Sequence, residues 1–311
     1  MADYYPVYVK TARSGRLKKI IQEAYDILND CTLCPRKCRV DRLAGQVGIC
    51  KTGEQAVVSS WDPHFGEEAP LVGRHGSGTV FFTHCNLLCN FCQNFDISHL
   101  GCGRAVSPGA LAEMMLSLQA TGCHNINFVS PSHVVPQFLA AVEIAADKGL
   151  RLPLVYNTGG YDRVSTLRLL EGVIDIYMPD FKFWDRHVAA ETCRVPDYPA
   201  VARRAVKEMH RQVGDLVMNE AGVARRGLLI RHLVLPNGLA GTEAIMAYIA
   251  NDISKNTYVN IMAQYRPCGR SNEIKALAAP LSRDAYRGAL EAAEKSGIRR
   301  LDTPRRVFMF D

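Results

Sequence analysis

The chain has 311 residues, 48% of them hydrophobic and 22% charged, with a formal net charge of +6. This composition argues against disorder and leaves room for one large α/β domain with a small appendage. No run approaches the roughly 18 consecutive apolar residues of a membrane span. The start, Met1-Ala2-Asp3-Tyr4-Tyr5-Pro6, lacks the basic segment and apolar core of a secretory signal. A cytoplasmic protein with no membrane association is expected. The charge reads as a slightly basic surface, with an acidic partner or ligand as the alternative.

In chain order, the first element is an amphipathic helix over 14–30, with Leu17, Ile20, Ile21, Ala24, Ile27 and Leu28 on one face. A cysteine-rich stretch follows, and then 51–77, rich in Gly, Pro and charge, reads as a connecting segment. From residue 78 strands and helices alternate. Strands are predicted at 79–83, 126–129, 153–156, 174–178, 228–235 and 258–262. Helices are predicted from the Ser107 cap and Pro108 to near Gly122, then at 132–148 before Gly149, 164–170, 198–213, 242–252 and 282–296. About six βα units imply a parallel sheet covered by helices. The expected fold is α/β, a partial (β/α)6 TIM-like barrel over 61–311 with a small N-terminal cysteine-rich metal-binding module within 1–60. A flat doubly wound sheet is the alternative. In either case ligands belong at the C-terminal ends of the strands.

Seven of the eleven cysteines fall in two sets. In a reducing compartment such clusters point to metal ligands or catalysis rather than disulfides. Cys102, Cys123, Cys193 and Cys268 are scattered and read as buried small hydrophobes. The second set, Cys85-Asn86-Leu87-Leu88-Cys89-Asn90-Phe91-Cys92, directly follows the first strand of the alternating run. Thiolates suit zinc or iron–sulfur clusters, and four would close a [4Fe–4S] site. Three leave one iron open for an exogenous chelator, and S-adenosylmethionine (SAM) bound there by its amino and carboxylate groups would place its sulfonium near the cluster. The alternatives are zinc with His84 or Cys102 as fourth ligand, and a closed electron-transfer cluster using Cys102. The first set is Cys31-Thr32-Leu33-Cys34-Pro35-Arg36-Lys37-Cys38 with Cys50 eleven residues on. It is a four-thiolate signal for either structural zinc or an auxiliary iron–sulfur cluster. Arg36, Lys37, Arg39 and Arg42 would offset its charge. Without interleaved aromatics, nucleic-acid binding is not expected.

The C-x3-C-x2-C spacing, with Phe91 before the third cysteine, resembles the signature of radical SAM enzymes. The stretch from Gly76 to Asn94 is similar to the pyruvate formate-lyase activating enzymes, above all to uncharacterised homologues with an extra N-terminal cysteine motif. The likeness covers roughly residues 30–300 and is strongest at 31–50, 64–97 and 174–185. It implies a [4Fe–4S] cluster on Cys85, Cys89 and Cys92 with SAM as cofactor, beside Phe91. Asp180-Phe181-Lys182 resembles the Asp-x-Lys that helps to hold SAM. There Lys182 would pair with the SAM carboxylate and Asp180 with ribose or a cation, a surface ion pair being the plain alternative. Asn157-Thr158 aligns with an Asp-Thr pair that, with Met178 and Asp180, would line a monovalent cation site. Asn in place of Asp removes a charge from it. Where the family has Gly-Gly-Glu for the SAM amino group, this chain has Ser130-Pro131-Ser132-His133. Ser130 could accept a hydrogen bond, but Pro131 has no N–H to give. Tyr265 occupies a substrate-facing position or belongs to the core.

The implied activity is that of an oxidoreductase that cleaves SAM reductively and abstracts hydrogen from a glycine Cα of a partner protein. Flavodoxin or ferredoxin would be the reductant. The alternatives are radical SAM chemistry on another peptide or small molecule, and a non-catalytic iron–sulfur electron carrier.

Overall fold

The computed structural model describes residues 4–302. Its strands are β1 (Ala56–His64), β2 (Ser77–Phe82), β3 (Arg104–Val106), β4 (Ile126–Val129), β5 (Leu154–Thr158), β6 (Ile176–Pro179), β7 (Val217–Met218), β8 (Ala224–Leu233) and β9 (Tyr258–Met262). Six of them, in the order β2-β4-β5-β6-β8-β9, pair in parallel. Helices at Pro108–Ala120, Val135–Asp147, Val164–Leu169, Tyr198–Val213, Thr242–Tyr248 and Arg283–Ser296 follow those strands in turn. The six predicted βα units are therefore present as a mixed α/β fold with a parallel sheet.

Alternation along the strands separates two apolar layers. Val80, Phe82, Ile126, Phe128, Leu154, Tyr156, Tyr177, Leu228, Ile230, Val259 and Ile261 pack in the large core beneath the helices. Val155, Ile176, Met178, Leu229 and Tyr258 point the other way and meet Leu71 in a second cluster. Leu71 comes from the segment between β1 and β2, which turns inward. There Glu68 Oε1 accepts from Asn260 Nδ2 of β9 (2.8 Å).

Ser107 caps its helix as expected, and Ser282 caps the last one. Ser107 Oγ accepts from Ala110 N (3.2 Å) with Pro108 in the first turn, and Ser282 Oγ accepts from Ala285 N (3.1 Å).

Several elements differ from expectation. The single helix over 14–30 is two, Val7–Arg13 and Arg16–Asp26, with a short 3-10 turn at Ile27–Asp30. The break is Gly15, held in the left-handed region at φ 71°. The supposed connecting segment contains β1, which pairs antiparallel with both β2 and β3. Its Ser, Asp, Pro and His residues concealed the alternation. The helix predicted from 132 begins at Val135, after a 3-10 turn at Pro131–His133. A helix at Arg186–Cys193, capped by Asp185, was not foreseen. The N-terminal helices share the main core through Tyr8, Leu17 and Leu28. Among the described residues no helix is long and apolar enough to cross a membrane.

Candidate active site

At the end of β2, Thr83 N still bonds Val57 O (2.8 Å). His84 (φ 66°) and Leu88 (φ 56°) then adopt left-handed backbone that strand geometry does not allow, and the chain folds over the sheet end. Neighbours pin this loop. Arg36 Nε donates to Asn86 O (2.8 Å) and Arg36 Nη2 to Leu87 O (3.1 Å). Asn86 Nδ2 donates to Tyr161 O (2.8 Å), and Asn90 N donates to Thr192 O (2.9 Å). The result brings Cys85, Cys89 and Cys92 onto one cavity of about 230 Å³, with Phe91, Ser130, Asn157, Asp180, Lys182 and Arg231 also lining it. It lies at the C-terminal strand ends, where a parallel sheet presents its ligand site.

Each of the three sulfurs has its own hydrogen-bond partner. Leu87 N donates to Cys85 Sγ (3.3 Å), Ser98 Oγ donates to Cys92 Sγ (3.2 Å), and Cys89 shares a bond with the Cys193 thiol. Burial pushes Cys85 up to about 12, and it raises Cys92 too. Cys89 is raised first by its bond to Cys193 and then by burial. Such thiols are protonated until a metal displaces the proton. Three convergent soft donors with hydrogen bonds to the sulfurs fit an iron–sulfur cluster with one open iron.

The scattered cysteines divide. Cys123 and Cys193 are buried as expected, but Cys102 is exposed and Cys268 is half-buried. Cys102 does not line the cavity, so no support arises for it as a fourth ligand, whereas His84 does line it. Cys193 sits beside Cys89, and Cys268 Sγ donates to Phe91 O (3.2 Å). Sequence distance concealed both, because separate βα units bring them there. Phe91 is buried, its ring edge-on to Phe183 (5.9 Å) and Tyr265 (6.1 Å). Tyr265 itself is a core residue, its hydroxyl donating to Leu277 O (2.6 Å).

The strand-end polar groups form one network. Asp180 accepts from Lys182 Nζ (2.5 Å) and Arg231 Nε (2.8 Å), and Arg231 Nη2 donates to Asn157 Oδ1 (2.8 Å). Glu67 lies 3.7 Å from Arg231 Nη1. Burial acts to raise the Asp180 carboxyl, but the Arg231 and Lys182 charges overcome it and hold the group below the usual range. The Asp180–Lys182 pair is thus buried rather than on the surface. The guanidinium of Arg231 already bridges Asn157 and Asp180, two of the groups expected to line a monovalent cation site, and so supplies the positive charge itself.

Tyr198 fixes the turn. Its hydroxyl accepts from Lys182 N (2.9 Å) and lies 3.0 Å from both Gly159 O and Asp180 O. Beside it Gly160 (φ +77°) tolerates no side chain, since a Cβ there would stand 2.3 Å from Asp180 O. In the 130–133 turn, only Ser130 reaches the cavity. Ser130 N is used by Asn157 O (2.8 Å), Ser132 Oγ bonds Thr158 Oγ1 (2.9 Å), and the His133 ring donates to Thr83 O (2.9 Å). Arg231, Ser98, Cys193 and Tyr198 escaped sequence reasoning. Only Arg231 carried a usable signal, the one formal charge in the predicted strand Leu228 to Leu235.

The four N-terminal cysteines also converge. Cys31, Cys34, Cys38 and Cys50 line a small cavity with Leu33, Arg36, Val40, Arg42, Gly48 and His133. All eleven cysteines are free of disulfides.

Fold and site together define an α/β protein with a parallel sheet and a three-thiol cavity at its strand ends. The chain belongs to the family of the uncharacterized protein MJ0674 of Methanocaldococcus jannaschii, to which it is 30% identical over 286 residues, 89% of this chain and 78% of that protein. No family model matches. Among solved structures, it is similar to a radical SAM methyltransferase from Sphaerobacter thermophilus (TM-score 0.48, 15% identity, 74% of this chain and 68% of that one). It is also similar to the radical S-adenosylmethionine methyltransferase TsrM from Kitasatospora setae, solved with cobalamin and a [4Fe–4S] cluster (TM-score 0.48, 14% identity, 75% and 56%). A third is methylornithine synthase, PylB (TM-score 0.46, 14% identity, 96% and 75%).

Proposed function

We propose that the chain is a radical SAM enzyme on a partial (β/α)6 barrel, with Cys85, Cys89 and Cys92 as the protein ligands of a [4Fe–4S] cluster. The observation that supports this most is the convergence of three thiols, Cys89 buried and Cys85 and Cys92 half-buried, each with its own hydrogen-bond partner, on a strand-end cavity also lined by Lys182 and Arg231. When bound, the reduced cluster supplies the electron that cleaves SAM and yields a 5′-deoxyadenosyl radical able to take hydrogen from an unactivated carbon. The protein's own groups bind and orient. Lys182 and Arg231 meet the SAM carboxylate with donors left over from Asp180, and the Ser130 hydroxyl accepts from the SAM amino group. Phe81, Leu87, Val129, Leu233 and Met262 wall the cavity and exclude water.

The substrate reading is a glycine Cα of a partner protein, with flavodoxin or ferredoxin as reductant and a cytoplasmic setting. The resemblance of the 76–94 stretch to activating enzymes supports it. The Ser130-to-His133 turn favours a second reading, radical modification of another peptide or small molecule, because it offers the cavity one hydroxyl and no carboxylate.

Anaerobic protein given dithionite and SAM tests the activity. It is expected to accumulate 5′-deoxyadenosine and methionine, with turnover abolished in Cys89→Ala and kept in Cys102→Ala. Undiminished turnover in Cys89→Ala would overturn the assignment. A doublet in the EPR spectrum with a candidate glycyl radical protein supports the first substrate reading, and its absence with all candidates supports the second.

A further inference from the structure

Arg42 is one of the largest fully buried side chains, 1% exposed. Its Nε and Nη2 donate to Gly53 O (3.1 and 2.8 Å), and its Nη1 donates to His133 O (2.9 Å). Carbonyl oxygens solvate a guanidinium but do not neutralise it. Among the described residues no carboxylate comes within ion-pair distance of it. An uncompensated buried cation is costly. The nearest candidate for the missing negative charge is the cysteine set, with Cys31 Sγ 4.0 Å from Nη1.

Two sulfurs of that set have a donor aimed at them, Cys31 from Arg42 Nη1 (4.0 Å) and Cys38 from the backbone N–H of Ile49 (3.4 Å). Cysteines that only fill a core need no such donors, whereas metal-bound thiolates do. The chain is shaped to bring the sulfurs together. Cys31 N bonds Val40 O (3.0 Å) and Arg39 N bonds Cys31 O (3.0 Å), closing the first loop. Gly48 then passes so near Cys38 that a Cβ on it would lie 2.7 Å from Cys38 Sγ. Of the other basic residues, Arg36 also lines this cavity but spends its N–H groups on the loop of the second cysteine set, Arg39 pairs with Asp30, and Lys37 is exposed.

We propose that Cys31, Cys34, Cys38 and Cys50 form a tetrathiolate metal centre of net negative charge, and that Arg42 is its buried counter-cation. One zinc ion and one [4Fe–4S] cluster satisfy the same donors and the same charge, so they are two sources of one chemistry. Arg42 is a positioning residue here, and through His133, whose ring bonds Thr83 O, it ties this centre to the strand end that launches the second cysteine set.

The test uses the full chain with Cys85, Cys89 and Cys92 all changed to Ala, purified anaerobically and assayed for zinc, iron and acid-labile sulfide, so its outcome does not depend on SAM chemistry. Near one zinc per chain, or near four irons with matching sulfide, supports the proposal and says which metal is native. Neither metal would overturn it. Arg42→Gln in that background is expected to weaken metal retention against a competing chelator by about tenfold or more, and Arg42→Lys by less. Retention in Arg42→Gln equal to its parent would overturn the counter-cation role. If Arg42→Gln does not fold, Arg42→Met, which keeps the apolar stem and removes the charge, decides that role by the same criterion.

Discussion

Replacing Arg231 by methionine removes the hub of the strand-end network while keeping most of the side chain's bulk. Two bonds of 2.8 Å are lost, one to the Asp180 carboxylate and one to Asn157 Oδ1. Hydrogen bonds to charged groups are worth about 1.5–3 kcal/mol, and breaking a buried pair costs about 3–5 kcal/mol. Lys182 still partners Asp180, so the lower end applies, about 3 kcal/mol. Asp180→Asn alone leaves Lys182 without its carboxylate and Arg231 with Glu67 alone, and costs about as much. In the double variant part of each penalty is relieved, since neither partner is left waiting for the other. A coupling of about 2 kcal/mol is expected between the two sites. Urea unfolding of the four proteins under anaerobic conditions measures it. Strict additivity, with coupling under about 0.5 kcal/mol, would refute the claim that Arg231 serves as the internal cation of this network.

Gly160→Ala forces a Cβ to 2.3 Å from Asp180 O at φ +77°. It is expected to destabilise by more than about 2 kcal/mol and to weaken SAM binding, whereas Gly149→Ala, with open space around it, changes only stability; equal SAM affinities in calorimetry would contradict this. Ser98→Ala removes the hydroxyl donor to Cys92 Sγ and should make the cluster's midpoint potential more negative in an EPR-monitored titration; an unchanged or raised potential would count against it. His232 is buried, donates from Nδ1 to Phe181 O (2.7 Å) and accepts from Thr242 Oγ1 at Nε2 (2.8 Å). Burial lowers it from the usual 6.5 to about 4, so its contribution is fully present above the unfolded value and is lost as pH falls through the folded one. Stability should therefore drop by about 3 kcal/mol between pH 6.5 and 4, and a His232→Gln protein whose pH profile matches wild type over that window would show the assignment to be wrong.

Elements with strong local signals were legible in the sequence. Ser107-Pro108 announced its helix, and β9 was predicted with its observed bounds, 258–262. The convergence of Cys85, Cys89 and Cys92 followed from spacing alone because eight residues of loop carry all three. What depends on distant chain segments was not legible. Cys193 meets Cys89, Ser98 meets Cys92 and Tyr198 braces Asp180 only after the βα units stack. Which of the four basic residues around the first cysteine set is fully buried was equally hidden, because burial, not spacing, separates Arg42 from Arg36, Lys37 and Arg39. β1 was missed since its polar residues mask an alternation that only pairing with β2 reveals.

The most direct test of the central claim is EPR of the dithionite-reduced chain, recorded without SAM and then with SAM carrying 15N in its amino group. A changed signal with hyperfine coupling to that nitrogen is predicted, because three thiolates leave one iron for the cofactor. Identical spectra, with no nitrogen coupling, would show that every iron already has a ligand from the protein.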